Sequence, residues 1–473
     1  MFFDIYVANK IGSESIGLFG LIMSVYMFAM TIANSGISLA STRIVAEELS
    51  MNSESGAKIA IQKCILYSLF FGSIACILLI LLSPLVCKYI LHDRISSIVL
   101  YIIAISLPFS SITISITGYF TGVKRIYKNS LYDIFGLFMK ITFIVIGFKI
   151  FNYNNIETAC IILVGANTLS EIISFVFLYI LYFYDSRKNL SKTRSDNNTY
   201  LKRILKISLP VAITSYIRSG LSTIKHSLIP IRLEKSGLSC ETSLSTYGMI
   251  NGMAIPILMF PGLFVNSISS LLIPEFARYN IKKDFKRMNE IINVLFRLVI
   301  TFSICVIGIY LLFPNEISKF TYNNIEIAKF VLLLCPLLLF MYLDHVIDAI
   351  LKGIDKQVGV MFCNILDLFI SIFLIYNLIP IFGIIGYIIV IYISEFLNFS
   401  VSLFQLYRAT KFNLNIVKIL IIPLISIFVT MIISTNLFSY TSNIFNIICN
   451  VVIFIFIYLF VNIYLNVMQK KFQ

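Results

Sequence analysis

Long apolar segments, repeated along almost the whole chain, are the feature that most constrains its fold. A helix needs about 20 apolar residues to cross the hydrocarbon core of a bilayer, and we predict thirteen such segments. They lie at 16–41, 63–87, 95–120, 129–151, 156–184, 203–231, 246–273, 288–313, 327–351, 359–381, 383–407, 415–436 and 443–467. Only 13% of the residues are charged, against about 25% in soluble proteins. The sequence therefore predicts an all-α polytopic membrane protein.

The net charge of +14 is explained by the distribution of Lys and Arg among the loops. One set of loops and the C-terminal tail hold 25 of the 37 basic residues, and the opposite set holds 8. The basic set comprises 42–63, 121–128, 185–206, 275–290, 352–358, 408–418 and 468–473. Because cytoplasmic loops carry the excess of Lys and Arg, we expect this set and the C-terminus in the cytoplasm. The charge then reflects topology, and we predict no nucleic-acid partner.

The segment 185–203 is polar and basic, which is typical of a linker between two halves. The halves share a pattern, because YFTGVKRIYKNSLYDIFGLF at 119–138 is followed about 230 residues later by ILKGIDKQVGVMFCNILDLF at 350–369. Repeated halves joined by a cytoplasmic linker are common in transporters, whose substrate sites lie between the repeats. The chain contains no nucleophile–base pair, phosphate loop or metal cluster, so we predict a protein that is not an enzyme and needs no metal or cofactor.

The span at 203–231 carries an unusual row of polar residues along one helix face. The row consists of Thr214, Ser215, Arg218, Ser222 and Lys225, followed by His226. Arg218 lies near the middle of the span, where a charge costs at least about 2.5–3.5 kcal/mol. No acidic residue occurs between Asp196 and Glu234, so this helix cannot neutralise its own cations. Either acids on neighbouring helices pair with them, or they line a water-filled cavity that receives an anion.

The span at 16–41 carries a second polar row, formed by Ser24, Thr31, Asn34, Ser38 and Ser41, which ends beside Arg43. Small hydroxylated residues occur both in tight helix contacts and along polar cavities, so both interpretations stay open. If the two rows face each other, they form one positively charged pathway. The planar fork of Arg and the point charge of Lys together suit a diphosphate.

Acidic residues and the last two spans complete the list of features. Asp344 and Asp348 are spaced i, i+4, and Asp348 has the same spacing to Lys352, which predicts an interfacial salt bridge. A cation or proton site is the alternative, with Asp133 as a further candidate. No charged residue or histidine occurs from Ile419 to Gln469, so this pair faces the bundle, lipid, or a lipid-like ligand such as a prenyl tail.

Segments 9–48 and 217–280 and the motif GYFTGVKRIYKNS at 118–130 resemble the stage V sporulation protein B family. This family lies in the polysaccharide and lipid II flippase branch of the multidrug/oligosaccharidyl-lipid/polysaccharide exporter superfamily. The resemblance implies two pseudo-symmetric six-helix lobes and two further C-terminal helices, and our thirteen spans fit if the first helix is largely missing. We therefore expect an N-terminal lobe at 1–184, a linker at 185–203, a C-terminal lobe at 204–411 and an extra pair at 412–473.

The resemblance implies a flippase that carries an undecaprenyl-diphosphate-linked cell-wall precursor, lipid II for the spore cortex, across the cell membrane by alternating access. Membrane lipids and cell-wall synthases are the further partners that we expect. The candidate substrate-binding residues are Arg218, Lys225, Arg43, Asn34, Ser38, Ser222, Ser215 and His226. Related lipid flippases place a cation on their first helix, and no counterpart can be assigned in this chain. Other members carry an acid where this chain has Ile224, Lys225 and His226, and this difference implies a more cationic site here.

Two other functions remain open. A cation-coupled exporter of drugs or metabolites, of the multidrug and toxin extrusion type, needs acids for ion coupling, and Asp344, Asp348 and Asp133 are the candidates. The positive sign of the row around Arg218 opposes cationic substrates. A membrane scaffold that recruits cell-wall enzymes is the third hypothesis, and it predicts sensitivity to changes in the cytoplasmic loops and not in the polar rows.

Overall fold

A computed structural model describes residues 2–51, 54–91, 94–151, 155–187, 197–414, 417–437 and 444–471. Most of these residues lie in helices, and none of them lies in a strand. The chain divides into two compact units, Glu14–Leu228 and Met1–Ser13 with Ile229–Gln473, which we call the N-terminal and C-terminal units. The lobe boundaries derived from the sequence stay a prediction, and residues 188–196 of the linker lie outside the described residues.

The N-terminal unit contains most of α1, all of α2–α7 and most of α8. Their bounds are α1 Phe2–Asn34, α2 Ile37–Ser50, α3 Glu54–Tyr89, α4 Ile98–Ala104, α5 Ser106–Gly122, α6 Tyr127–Ile150, α7 Ile156–Arg187 and α8 Asn197–Lys235. A non-helical residue, Gly12, interrupts α1 close to the division between the units. The core of this unit is apolar and includes the fully buried Ile44, Ile61 and Phe120.

The C-terminal unit contains the remaining helices. Their bounds are α9 Cys240–Tyr247, α10 Ile255–Met259, α11 Gly262–Lys282, α12 Phe285–Leu312, α13 Pro314–Tyr322, α14 Glu326–Leu334, α15 Leu338–Gly353, α16 Gln357–Thr410, α17 Ile422–Leu437 and α18 Ile444–Lys471. Short π-helical turns at Gly248–Ala254 and Val417–Ile421 precede α10 and α17. A 3₁₀ turn at Cys335–Leu337 joins α14 to α15.

The described residues contain ten helices that are long and apolar enough to cross a membrane. The count is eleven if Cys240–Met259 and Gly262–Lys282, which meet at 64°, form one span. Two of our predicted spans, 359–381 and 383–407, fall in the 54-residue α16, where Gly383 has a non-helical backbone. Another, 203–231, falls in α8, which is not among the ten. The all-α membrane fold is confirmed, and the count of thirteen stays a prediction.

A break that the sequence did not predict interrupts the segment 16–41. Ser35 and Gly36 both have positive φ, at 40° and 70°, and they separate α1 from α2. A Cβ atom on Gly36 would lie 2.5 Å from the carbonyl oxygen of Ser208 in α8. Glycine therefore serves two purposes here, since it adopts the left-handed conformation and lets α8 approach the backbone closely.

A bend in the C-terminal unit is stabilised by two tyrosines. Pro261 has no N–H to donate to the carbonyl of Ile257, four residues earlier. The hydroxyl of Tyr310 donates to that carbonyl at 2.6 Å, and Tyr342 donates to the carbonyl of Leu258 at 2.7 Å. Free backbone carbonyls are costly at membrane depth, so these bonds let the chain bend between α10 and α11.

The turn between α5 and α6 is held by one buried carboxylate. Asp185, near the end of α7, accepts hydrogen bonds from Arg125, from the Lys128 ammonium at 2.5 Å and from the Tyr119 hydroxyl at 3.1 Å. The side chain of Asp185 is only 5% exposed. Two basic residues of the motif at 118–130, Arg125 in the turn and Lys128 at the start of α6, thus connect this region to α7.

Candidate functional site

The polar row predicted on α1 contacts α8 within the N-terminal unit. The Thr31 hydroxyl donates to the Ser219 hydroxyl at 3.1 Å, and the Thr223 hydroxyl donates to the carbonyl of Ser24 at 2.9 Å. Ser24 and Thr31 belong to the predicted row on α1. On α8, however, the contacting residues lie next to the predicted row and are not members of it.

The cationic row of α8 lies beside this contact. Arg218 precedes Ser219 by one residue, so its side chain leaves the helix about 100° away from the contact with α1. Ser215 and Ser222 are half-buried, and Arg218 is exposed. Packing against α1 therefore uses one face of α8 and leaves the guanidinium of Arg218 outside the interface.

The charges of α8 differ in their surroundings. Across the described ranges, no carboxylate lies within ion-pair distance of Arg218, although it stands near the middle of a 39-residue helix. Lys225 and His226, two turns further along, are both half-buried. The environment of Arg218 is thus open, whereas that of Lys225 and His226 is more enclosed.

Arg43 forms an ion pair with a carboxylate of its own helix. Its Nε atom lies 2.7 Å from Glu47 Oε1, one turn further along α2. Arg203 of α8 contacts the same glutamate at 2.7 Å and Glu48 at 2.9 Å. Because the Arg43 side chain is 62% exposed, this pair is worth little in stability, but it offsets part of the charge that Arg43 brings to a site.

The remaining residues of the α1–α2 row have different environments. Asn34 is half-buried, and its Oδ1 atom has no hydrogen-bond partner within the described part of the chain. Ser38 is exposed. Ser41 is fully buried and packs against Gly118 of α5, where any larger residue would clash with its hydroxyl. Ser41 therefore packs helices together, while Asn34 and Ser38 keep polar groups available.

Of the acidic candidates on α15, Asp348 forms the predicted salt bridge. Asp348 lies 3.7 Å from the Lys352 ammonium, as the i, i+4 spacing predicts. Asp344 accepts a hydrogen bond at 3.0 Å from Asn398 of α16, while Asp344 Oδ1 and Asn398 Oδ1 are buried without a partner among the described residues. Asp133 is exposed on α6 of the N-terminal unit.

A polar network around Glu171 of α7 was not predicted as part of a site. Its carboxylate accepts hydrogen bonds from Tyr26 at 2.6 Å, Ser110 at 2.7 Å and Asn167 at 2.9 Å. These donors come from α1, α5 and α7 itself, so one acid connects three helices. The i, i+4 spacing of Asn167 and Glu171 is the only part of this network that is visible in the sequence.

Comparison with known proteins identifies two families. The model of the family described as "Polysaccharide biosynthesis protein" matches residues 1–280, and the MatE family model matches residues 242–377. The chain is 20% identical over 388 residues to stage V sporulation protein B of Bacillus subtilis (strain 168), which covers 81% of this chain and 75% of that protein.

Two solved structures share the fold. The lipid II flippase MurJ in an inward closed conformation superposes with a TM-score of 0.74 at 13% identity, covering 99% of this chain and 96% of MurJ. An inward-facing multidrug resistance MATE family transporter of the MOP superfamily has a TM-score of 0.65 at 14% identity, covering 87% of this chain and 94% of that transporter. The resemblance to the exporter superfamily is thereby confirmed.

Proposed function

This chain belongs to the polysaccharide biosynthesis protein family, and we propose that it flips an undecaprenyl-diphosphate-linked cell-wall precursor across the cytoplasmic membrane by alternating access. The protein is a multi-pass membrane transporter of the multidrug/oligosaccharidyl-lipid/polysaccharide exporter superfamily and not an enzyme. Lipid II for spore cortex peptidoglycan is the substrate that we propose. The proteins to which this chain is similar include a sporulation protein and a lipid II flippase, and this similarity supports the choice of substrate.

The exposed guanidinium of Arg218 carries the proposal. A charge in the middle of the predicted span 203–231 needs water, a carboxylate or an anionic ligand to offset its desolvation, and no carboxylate of the described residues is within ion-pair distance of Arg218. A diphosphate supplies oxygens that match the planar fork of Arg. The absence of a protein counter-charge therefore favours an anionic substrate.

The other residues of the proposed site complement Arg218. Lys225 adds a second positive charge on the same face of α8, and His226 follows it. Ser215, Ser222, Asn34 and Ser38 offer short polar groups that suit sugar hydroxyls and phosphate oxygens. Arg43 is already paired with Glu47. We therefore assign it a role in attracting the substrate to the site, and not in the tightest binding of the diphosphate.

The chemistry of the substrate explains why a protein is required. A diphosphate and a saccharide cannot enter hydrocarbon without losing their hydration, whereas a prenyl tail is apolar and is soluble in the hydrocarbon core. The protein has to supply a polar path for the head group only. A membrane potential that is negative inside favours outward movement of an anion by about 2.3 kcal/mol per charge per 100 mV, so it contributes to export.

Reconstitution of the full chain in vesicles with fluorescent lipid II tests this function. We expect lipid II head groups on the inner leaflet to become accessible to an external probe much faster with the protein than without it. A glycolipid that carries the same saccharide but no phosphate is the matched control, and we expect it to remain on its own leaflet. Equal movement of the two lipids, or of neither, would contradict the proposal.

A cation-coupled exporter of the MATE type is the second candidate. It is favoured by the match to the MatE family over residues 242–377 and by the unpartnered, buried oxygens of Asp344 and Asn398. Oxygen atoms of this kind are typical ligands of a small cation. The same vesicles decide between the candidates, since this function requires efflux of a cationic dye driven by a sodium or proton gradient, without movement of lipid II.

A further inference from the structure

A groove on the C-terminal unit lies between α12 and α18, and none of the residues assigned to substrate lines it. Its volume is about 550 Å³. Most of its lining is apolar, with Phe302, Val306 and Ile309 on α12 and Ile455 and Leu459 on α18. Grooves of this size commonly hold small ligands, and in a membrane protein the available ligands include lipids.

On α12, the charged and hydroxyl-bearing lining residues Arg297 and Thr301 precede the apolar Phe302, Val306 and Ile309. The Tyr458 hydroxyl of α18 donates to the carbonyl of Thr301 at 3.0 Å. Asn462, one turn after Tyr458, also lines the groove. Asn462 is 7% exposed, and its amide donates to the Ser426 hydroxyl at 3.3 Å. The groove is thus amphipathic, with a cation at its polar end.

Arg297 has no counter-charge in the part of the chain that the structure describes. It is exposed and forms no ion pair there. The acid that precedes it on α12, Glu290, is bound to Arg287 at 2.9 Å. The stretch from Ile419 to Gln469, which includes all of the facing helix except its last two residues, contains no charged residue. A negative charge for Arg297 therefore has to come from outside these segments.

The length of the groove matches one leaflet of a bilayer. From Arg297 to Ile309 is 12 residues, or about 18 Å at a rise of 1.5 Å per residue. One leaflet contributes about 15 Å to a hydrocarbon core of about 30 Å. A single acyl chain therefore fits with its head group at Arg297, whereas an undecaprenyl chain is several times too long.

The predicted topology places the polar end toward the cytoplasm. Lys282, Lys283, Lys286 and Arg287 surround the start of α12, in a loop that the positive-inside rule assigns to the cytoplasmic side. Anionic phospholipids are enriched in the cytoplasmic leaflet and are attracted by such basic segments. Arg297 follows this loop on the same helix, and long Arg side chains at membrane depth extend toward the head groups by snorkelling.

We propose that this groove binds one anionic phospholipid of the cytoplasmic leaflet, with the phosphate on Arg297 and an acyl chain along α12 and α18. The guanidinium meets the phosphate through two parallel hydrogen bonds. The acyl chain fills the space between Phe302, Val306 and Leu459 and thereby stabilises the packing of α18 on α12. This site requires no substrate, so it is independent of the flipping activity.

Native mass spectrometry of the full chain, released from micelles with equal amounts of phosphatidylglycerol and phosphatidylcholine, tests the site. We expect the wild-type protein to retain one phosphatidylglycerol in preference to phosphatidylcholine. Arg297→Gln lowers this preference about tenfold or more, because a charge-assisted hydrogen bond is lost. Val306→Phe, which fills the groove, lowers the retention of both lipids.

Arg408→Gln is the matched control, since it removes the same charge from an exposed Arg of α16 that does not line the groove. We expect it to retain phosphatidylglycerol as the wild-type protein does. An Arg297→Gln protein that keeps the wild-type preference overturns the proposal. Competition by undecaprenyl phosphate that depends on Arg297 also overturns it, since the groove then holds a substrate tail. If Arg297→Gln is not recovered folded, unchanged retention in Val306→Phe is decisive against the site.

Discussion

Arg218→Ala lowers the affinity of the chain for lipid II by about 10- to 100-fold, because hydrogen bonds to a charged group contribute about 1.5–3 kcal/mol. The loss is at the upper end of this range if the guanidinium binds the diphosphate through two bonds in a site from which water is excluded. Equilibrium binding of fluorescent lipid II to the protein in nanodiscs provides the measurement.

Two variants make this result specific. Arg218→Lys keeps the charge but not the fork, so we expect an intermediate affinity. Arg408→Ala removes an equally exposed Arg in the last turn of α16, and we expect wild-type binding. Lipid II binding to the Arg218→Ala protein with wild-type affinity would remove Arg218 from the site.

Asp185→Ala lowers the free energy of unfolding by about 3–5 kcal/mol, because it leaves two cations beside a buried position without a partner. Asp185 is 5% exposed and binds Arg125, Lys128 and Tyr119. Adding Lys128→Met to this variant removes one of the two unpaired charges, so we expect it to restore part of the loss. Chemical denaturation in micelles measures all of these changes.

Glu290→Ala is the control for Asp185→Ala. Glu290 pairs with Arg287 at 2.9 Å, but both side chains are at least 50% exposed, so we expect a change of about 0–1 kcal/mol. If Asp185→Ala destabilises the protein no more than Glu290→Ala does, then the α5–α6 turn is held by packing and not by this carboxylate.

Local spacing explains which parts of the site the sequence predicted. The pair of Asp348 and Lys352 follows from i, i+4 spacing, and the structure confirms it. The same rule applies to Arg43 and Glu47, so their pair was also within reach of the sequence. Contacts between neighbours on one helix depend only on helix geometry, which is why they are predictable.

Contacts between segments that are distant in the chain could not be predicted from the sequence. Asp185 binds basic residues about 60 positions away, and nothing in the local pattern identifies it as their partner. The row on α8 was read as one polar face, yet Ser219 and Thr223 make the contacts with α1 while Arg218 does not. A helical pattern shows which residues share a face, but the neighbouring helices decide what that face touches.

Water access beside Arg218 is the most direct measurement of the central claim, which is that an anion binds to a wet cationic face of α8. A Ser222→Cys protein, which keeps Arg218 one turn away on the same face, is treated in vesicles with membrane-impermeant thiol reagents, with the nine native cysteines of the wild-type protein as background. We predict labelling above that background, faster for negatively charged reagents than for positively charged ones, and protection by lipid II. Labelling no greater than background, or labelling that lipid II leaves unchanged, would contradict the account.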